Sequence, residues 1–202
     1  MGQIKLSILI LAIPERILSL RRIITNLEKQ IADNNLDDKV EIVALLDNKK
    51  CSIAAKRNNL LQHAQGDYVA FLDDDDDISA EYVSSLVKAS HAEKDVITFD
   101  QKCRINGKGL AVSFGLGNPH QGLKEGKDGN YLPILRPPYH VCAWKSSLAK
   151  SISFREVFTE EGQSCEDIDW CSRLYSKAST HIHIGKFLHY YFYDSKLTSS
   201  IF

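Results

Sequence analysis

Along the first hundred positions, apolar residues follow two alternating rhythms. Residues 4–12 are almost continuously apolar, which reads as a buried strand. Pro14 suits a first helical turn, and Ile17, Leu20, Ile24, Leu27 and Ile31 then recur at steps of three and four. That spacing predicts one amphipathic helix, closed by the turn residues Asp33-Asn34-Asn35. Residues 40–46 are apolar on both faces, as strands inside a parallel sheet are. Ser52 is placed to cap a helix reaching about Gln65, with Gly66 ending it. Residues 68–72 form a third strand. Ser79 is placed to cap the next helix, which carries Tyr82, Val83, Leu86, Val87 and Ser90 on one face, and residues 96–99 give a fourth strand.

Strand and helix alternating at this spacing predict right-handed βαβ units, an α/β class and an open, mostly parallel sheet. Ligands of such sheets bind beyond the carboxyl ends of the strands. Those ends carry Ile13-Pro14-Glu15-Arg16, then Asp47-Asn48, then Asp73 onward, so polar chemistry sits where the topology puts a site. The rhythm changes after residue 100. Seven of the eleven glycines fall between Gly107 and Gly129, followed by Pro133, Pro137 and Pro138. Long loops are expected there, around a hairpin at Asn106-Gly107. Regularity returns at Val141-Cys142-Ala143-Trp144, in a helix over about residues 165–177, and in strand-like alternation over His181–Tyr193 that sets His181 and His183 on one face. With no repeat and no separating linker, a single domain over residues 1–202 is expected.

Composition narrows the class. At 44% hydrophobic and 25% charged, the chain matches a globular domain. Its 25 Lys+Arg against 26 Asp+Glu give a formal charge of −1, which argues against a nucleic-acid partner. The apolar run over residues 6–13 is interrupted by Ser7, ends at Pro14 and has no basic leader. It is too short to span a bilayer, and no later segment is long enough. Five cysteines, odd in number and without a CxxC pair, read as free thiols of a reducing compartment rather than a zinc site. A soluble cytoplasmic protein is therefore expected. Nothing in the sequence fixes the oligomeric state.

The charge balance hides one concentration: residues 73–77 are five consecutive aspartates, straight after an apolar strand. A calcium hand is excluded, because its glycine position is Ile78 and its terminal glutamate position is Ser84. No GxxxxGK[ST] or GxGxxG run exists. A haloacid-dehalogenase-like phosphatase would use Asp73 as nucleophile, but its usual Thr or Val is Asp77 here, so it stands as the weaker alternative. The remaining reading is a hard-metal site for a diphosphate, since a divalent cation relieves the mutual repulsion of clustered carboxylates. Asp73 and Asp75 are assigned to that function, Asp76 stands open beside them, and Asp74 and Asp77 are read as facing water.

Four segments then resemble the family 2 glycosyltransferases of GT-A fold. They are the opening strand through Pro14-Glu15-Arg16; Lys56-Arg57-Asn58-Asn59-Leu60-Leu61 continuing through Ala64-Gln65-Gly66-Asp67-Tyr68 to Asp73-Asp74-Asp75-Asp76; Cys165-Glu166-Asp167-Ile168-Asp169-Trp170 with Arg173; and His189-Tyr190-Tyr191-Phe192-Tyr193 leading to Ser199-Ser200. The resemblance implies inverting, metal-dependent transfer of a sugar from a nucleotide-diphosphate donor, usually a UDP-sugar. The acceptor would be a glycan, a lipid-linked glycan or another hydroxyl. It implies a nucleotide-binding half over about residues 1–100 and an acceptor-binding, base-carrying half over about 101–202. Asp47 would accept the uracil N–H, Arg57 would lie near the nucleotide or its phosphates, and Asp73 and Asp74 would face the donor. Asp75 would bind Mn²⁺ or Mg²⁺ with Asp73, and His189 would complete the shell. Asp167 or Asp169 would be the general base, Asp167 preferred, with Glu166 beside them.

Each of these residues also has a plain reading. Ser164 and Asp167 have capping-box spacing, Asp169 and Arg173 have helical ion-pair spacing, and Asp47 suits a solvated turn. Arg57 could pair on the surface with Asp67 or Glu81, and His140 could line an acceptor site or simply pack. The family's Thr-Tyr-Asn-type segment is replaced by Ala12-Ile13-Pro14-Glu15, and the Gln-x-x-Arg-Trp signature of processive synthases is absent, so single-sugar addition is expected. A third reading keeps the fold as a non-catalytic sugar-nucleotide or glycan-binding domain.

Overall fold

A computed structural model describes residues 3–160, 162 and 164–195; Ser199-Ser200 of the resemblance lie outside them. β1 (Leu6–Ala12) is buried along its whole length. A single 3₁₀ turn, Pro14–Arg16, leads into α1 (Ile17–Asp33). The buried stripe of α1 is Leu20, Ile23, Leu27, Gln30 and Ile31, so the stripe read from sequence is rotated slightly and Ile17 remains exposed. β2 (Val40–Leu46) pairs with β1 in parallel but lies at the edge of the sheet. Its residues are mostly half-buried, although most of them are apolar. α2 (Ile53–His63) starts at Ser52, whose side chain accepts from Ala55 N at 3.2 Å, as expected.

Gly66 does not end α2, which stops at His63 with Ala64 as its extended C-cap. Its role is close approach: a Cβ there would sit 2.7 Å from Ser7 N and 2.8 Å from Leu6 C. Only glycine lets the chain pass β1 at this point. β3 (Tyr68–Asp73) then pairs in parallel with the other side of β1, its first five residues buried. A tight turn leads to β4 (Asp77–Ile78) and α3 (Tyr82–Ser90). Ser79 does not cap α3. Gln30 of α1 does that work, its Oε1 accepting from Val83 N at 3.0 Å while its Nε2 donates to Ser79 O at 2.9 Å.

β5 (Val96–Ile105) runs well beyond the expected fourth strand. It turns into β6 (Lys108–Phe114) through Asn106 and Gly107, at φ 48° and 82°, the positive-φ pair of a two-residue hairpin. After a long loop come β7 (Ile134–Arg136), β8 (Ala143–Lys145), the short α4 (Ser146–Ala149), α5 (Glu166–Tyr175) and β9 (His181–Tyr193). The sheet order is β2-β1-β3-β8-β5-β6-β7, with β9 alongside β5 and β4. Parallel pairing holds in the first half, β8 is antiparallel to β3 and β5, and β9 is parallel to β5. Trp144 and Trp170, both fully buried, pack 6.1 Å apart between β8 and α5, joining the later elements to the same core. Among the described residues no helix is long and apolar enough to cross a membrane.

Candidate active site

Beyond the carboxyl ends of β1 and β3 lies a cleft of about 480 Å³. Its floor is the aspartate run with Arg16 and Arg57, one wall is the segment Lys49 to Ala54 with Lys56, and Phe158, Tyr191, Phe192 and Tyr193 line it as well. The cleft lies where the strand-end rule expects a ligand.

The aspartate run divides by alternation. Side chains of Asp73, Asp75 and Asp77 are 42%, 54% and 56% exposed, whereas Asp74 and Asp76 are buried. The expectation that Asp74 faces water is therefore wrong. Its Oδ1 lies 3.1 Å from Arg16, and burial pushes its carboxyl up to about 6 in spite of that neighbour. Asp76 is the keystone of the turn. Its Oδ2 accepts from Asp73 N at 2.8 Å and lies 3.0 Å from His189 Nε2, and Arg22 donates to its carbonyl at 2.8 Å. Burial alone would raise the Asp76 carboxyl, but the His189 ring, the Asp73 amide and His140 together hold the group below the usual range.

His189 does not reach the open acids. It is 1% exposed, with Nδ1 2.8 Å from Gln101 Nε2 and Nε2 3.0 Å from the buried Asp76 rather than beside Asp73 or Asp75. The pairing of Ile78 with His189 across β4 and β9 fixes it there. Asp75 is held by Arg16 at 2.5 Å. Among the described residues no group of three or more His, Cys, Asp or Glu side chains is gathered to hold an ion. Two half-exposed carboxylates, Asp73 and Asp75, remain at the cleft. That donor set fits Mg²⁺ or Mn²⁺, which takes one or two carboxylates and completes its shell from substrate phosphates.

Arg57 is no surface residue. It is 4% exposed, with Nε 3.2 Å from Glu166, Nη2 3.7 Å from Asp73, and its guanidinium 5.1 Å and 5.6 Å from the ring centres of Phe71 and Phe154. Burial opposes its charge, but Asp73, Glu166 and Asp167 more than compensate and raise its pKa. The residue thus ties the aspartate run to the start of α5. Glu166 is equally buried, its other oxygen accepting from Ser164 Oγ at 2.5 Å.

The two candidate bases are separated by the structure. Asp169 is engaged by Arg173, whose Nε and Nη2 donate to it at 2.9 Å and 2.5 Å, so the plain ion-pair reading holds. Asp167 does not cap α5: the helix begins at Glu166, Cys165 is the N-cap and no side chain caps it. Instead, Asp167 Oδ2 accepts from the Tyr139 hydroxyl at 2.6 Å and lies 3.3 Å from His140 Nδ1. Burial would raise its carboxyl, but His140, Arg57 and the Tyr139 hydroxyl together hold it far below the usual range. Tyr139 was missed in the sequence. Its only signal there is position, directly after Pro137-Pro138 and before His140. Asp47 turns into its own loop, accepting from Lys50 N and Cys51 N at 3.0 Å and pairing with the buried Lys56 rather than lining the cleft.

Comparison with known proteins follows this geometry. Residues 19–121 match the family described as Glycosyl transferase family 2. No curated protein matches the chain by sequence. The crystal structure of S. aureus TarS 1–349 superposes with a TM-score of 0.63 at 19% identity, covering 94% of this chain and 60% of that one. The same TarS segment in complex with UDP-GlcNAc gives 0.63 at 17% identity, covering 95% and 59%; in complex with UDP it gives 0.62 at 19%, covering 94% and 61%. The chain thus shares the mixed-sheet GT-A fold and spans about 60% of the TarS segment.

Proposed function

The chain belongs to glycosyl transferase family 2, and from that premise we propose that it moves one sugar from a UDP-sugar, or another nucleotide-diphosphate sugar, to an acceptor hydroxyl with inversion at the anomeric carbon. The acceptor is a glycan, a lipid-linked glycan or another hydroxyl compound, and addition stops after one sugar. The donor occupies the cleft that the first hundred residues share with Phe158 and Tyr191 to Tyr193, and other later residues supply the base. The UDP and UDP-GlcNAc complexes of TarS, a protein of the same fold, support this choice of donor.

One observation carries the reading: two acidic groups stand on either side of one buried guanidinium. Asp73 and Asp75 open into the cleft, while Asp167 lies on the α5 side of Arg57. Asp73 and Asp75 would hold the divalent cation, which would supply positive charge against the negative charge of the departing diphosphate. Arg16 and Lys50, which line the same cleft, add positive charge around the phosphates. Asp167 accepts the proton of the acceptor hydroxyl as that oxygen attacks. It remains an anion at neutral pH, and the guanidinium of Arg57 beside it disfavours a second cation there.

A thermal-shift series with UDP, other nucleoside diphosphates and Mn²⁺ tests the donor site. UDP with Mn²⁺ at about 100 times its dissociation constant adds about 2.7 kcal/mol, a rise of about 5–10 °C for a chain of this size. A rise with other nucleotides and none with UDP contradicts the donor. UDP binding without release of UDP from any UDP-sugar supports the non-catalytic reading instead.

A further inference from the structure

We infer that Tyr139, with His140 beside it, is the positioning residue of the reaction, holding the Asp167 carboxylate at one fixed angle to the acceptor hydroxyl. The inference rests on the proposed role of Asp167 as base and deepens it. Three features support it. Both residues act on the same oxygen, Oδ2, at 2.6 Å from the Tyr139 hydroxyl and 3.3 Å from His140 Nδ1. Oδ1 meanwhile faces its own Ile168 N at 2.7 Å, so the carboxylate plane is set from both ends.

The second feature is the stiffness of the segment that carries them. Pro137 and Pro138 fix two consecutive φ angles immediately before Tyr139. The Tyr139 carbonyl then accepts from Cys142 N and from the buried Trp144 Nε1, both at 3.0 Å, which pins it to β8. The Tyr139 and His140 rings lie 4.5 Å apart. A support of this kind keeps a catalytic group within the fraction of an ångström that attack geometry demands.

The third feature is protonation. Burial, reinforced by the neighbouring Asp167 charge, pushes the Tyr139 phenol well above its ordinary value. The hydroxyl therefore stays a donor throughout the working pH range and does not compete for the acceptor's proton. Tyr139 shapes where the base lone pair points; it does not take a proton itself.

The assay is UDP release from UDP-GlcNAc with Mn²⁺, water serving as acceptor, on the full chain. Tyr139→Phe is expected to lower kcat about 10- to 100-fold and leave KM for UDP-GlcNAc within about 2-fold. In an Asp167→Asn background the same change is expected to cost nothing further, because the group it orients is gone. Unchanged kcat, or an equal loss in both backgrounds, overturns the inference. A second measurement needs no turnover: the carboxyl ¹³C titration of Asp167. The charged and titratable groups facing it are Tyr139, His140 and Arg57, with Glu166 before it and Cys171 one turn on. Losing the Tyr139 hydroxyl is expected to move its midpoint up, and an unmoved midpoint overturns the inference. A wild-type chain that releases no nucleoside diphosphate from any nucleotide-diphosphate sugar contradicts the proposed function, while this titration still decides the contact.

Discussion

Replacing Arg57 by methionine removes the buried guanidinium between the two acidic groups and keeps most of the side chain's volume. The magnitude follows from the surroundings. Glu166, 5% exposed, loses its 3.2 Å partner and, among the described residues, keeps the Ser164 hydroxyl. Removing one member of a buried pair costs about 3–5 kcal/mol, because the remaining charge stays buried and unpaired. Asp73 adds little, since its side chain is 42% exposed and 3.7 Å away. At about 2–4 °C per kcal/mol for a chain of this length, Arg57→Met is expected to melt about 6–20 °C below wild type. Differential scanning calorimetry in chelator-containing buffer reads this directly. Adding Glu166→Gln is expected to restore about 1–3 kcal/mol, the coupling typical of contacting charges. Arg57→Met melting within 2 °C of wild type, or a double variant that only adds the two losses, refutes the assignment of Arg57 as a buried bracket.

Four further outcomes are expected. Gly66→Ala pushes a Cβ to 2.7 Å from the Ser7 backbone nitrogen and should cost about 1–3 kcal/mol in urea denaturation; a cost under about 0.5 kcal/mol contradicts the close-approach account. Gln30→Leu leaves Val83 N without its cap and Ser79 O without its donor, so a loss of about 1–2 kcal/mol is expected; full stability in the same assay contradicts the cap. Asp74→Asn and Asp76→Asn should have opposite effects across pH. The raised Asp74 carboxyl, at about 6, costs stability once ionised, so its variant gains on wild type as pH rises through 6. The lowered Asp76 carboxyl stabilises above its unfolded value of about 3.9, so Asp76→Asn loses stability at neutral pH and converges with wild type in acid. Urea midpoints at pH 3.5, 5 and 8 check both signs, and parallel curves contradict them. Asp169→Asn breaks an ion pair with Arg173 and should leave kcat within about 3-fold, because the pair is partly exposed and apart from the base; a loss as large as that of Asp167→Asn reverses the choice of base.

What the sequence could and could not reveal follows from the range of the interactions. Strand and helix periods are local, so β1, α1, α2, β3 and the Asn106-Gly107 hairpin were legible, and so was a cleft at the strand ends. Edge position is not local. The apolar residues of β2 say nothing of what lies on its far side, and the sheet leaves it at the rim. Gly66 reads as a helix stop until β1 is seen 2.7 Å from where its Cβ would be. The division of the aspartate run is made by the turn after β3, where Arg16 draws Asp74 inward and the Asp73 amide and His189 draw Asp76, whereas a block of like charge reads first as solvated. His189 and Asp76 meet through β4 and β9, Arg57 meets Glu166 more than a hundred positions away, and Tyr139 meets Asp167 across 28. These are products of topology, so the sequence left Arg57 between a nucleotide contact and a surface pair and gave Tyr139 no role. Family membership, with the GT-A fold, leaves the haloacid-dehalogenase phosphatase reading of Asp73 without support.

The central claim is a division of labour: the cleft acids bind the donor with its cation, and Asp167 does the proton chemistry from outside that group. Asp75→Asn and Asp167→Asn, compared for Mn²⁺-dependent UDP affinity by calorimetry and for UDP release from UDP-GlcNAc, test it most directly. Asp75→Asn is expected to lose the metal-dependent part of UDP binding. Asp167→Asn is expected to bind UDP and Mn²⁺ as wild type does, with kcat lower by about 10²- to 10⁴-fold. Wild-type turnover in Asp167→Asn, or loss of UDP binding in it alongside undiminished binding in Asp75→Asn, contradicts the account.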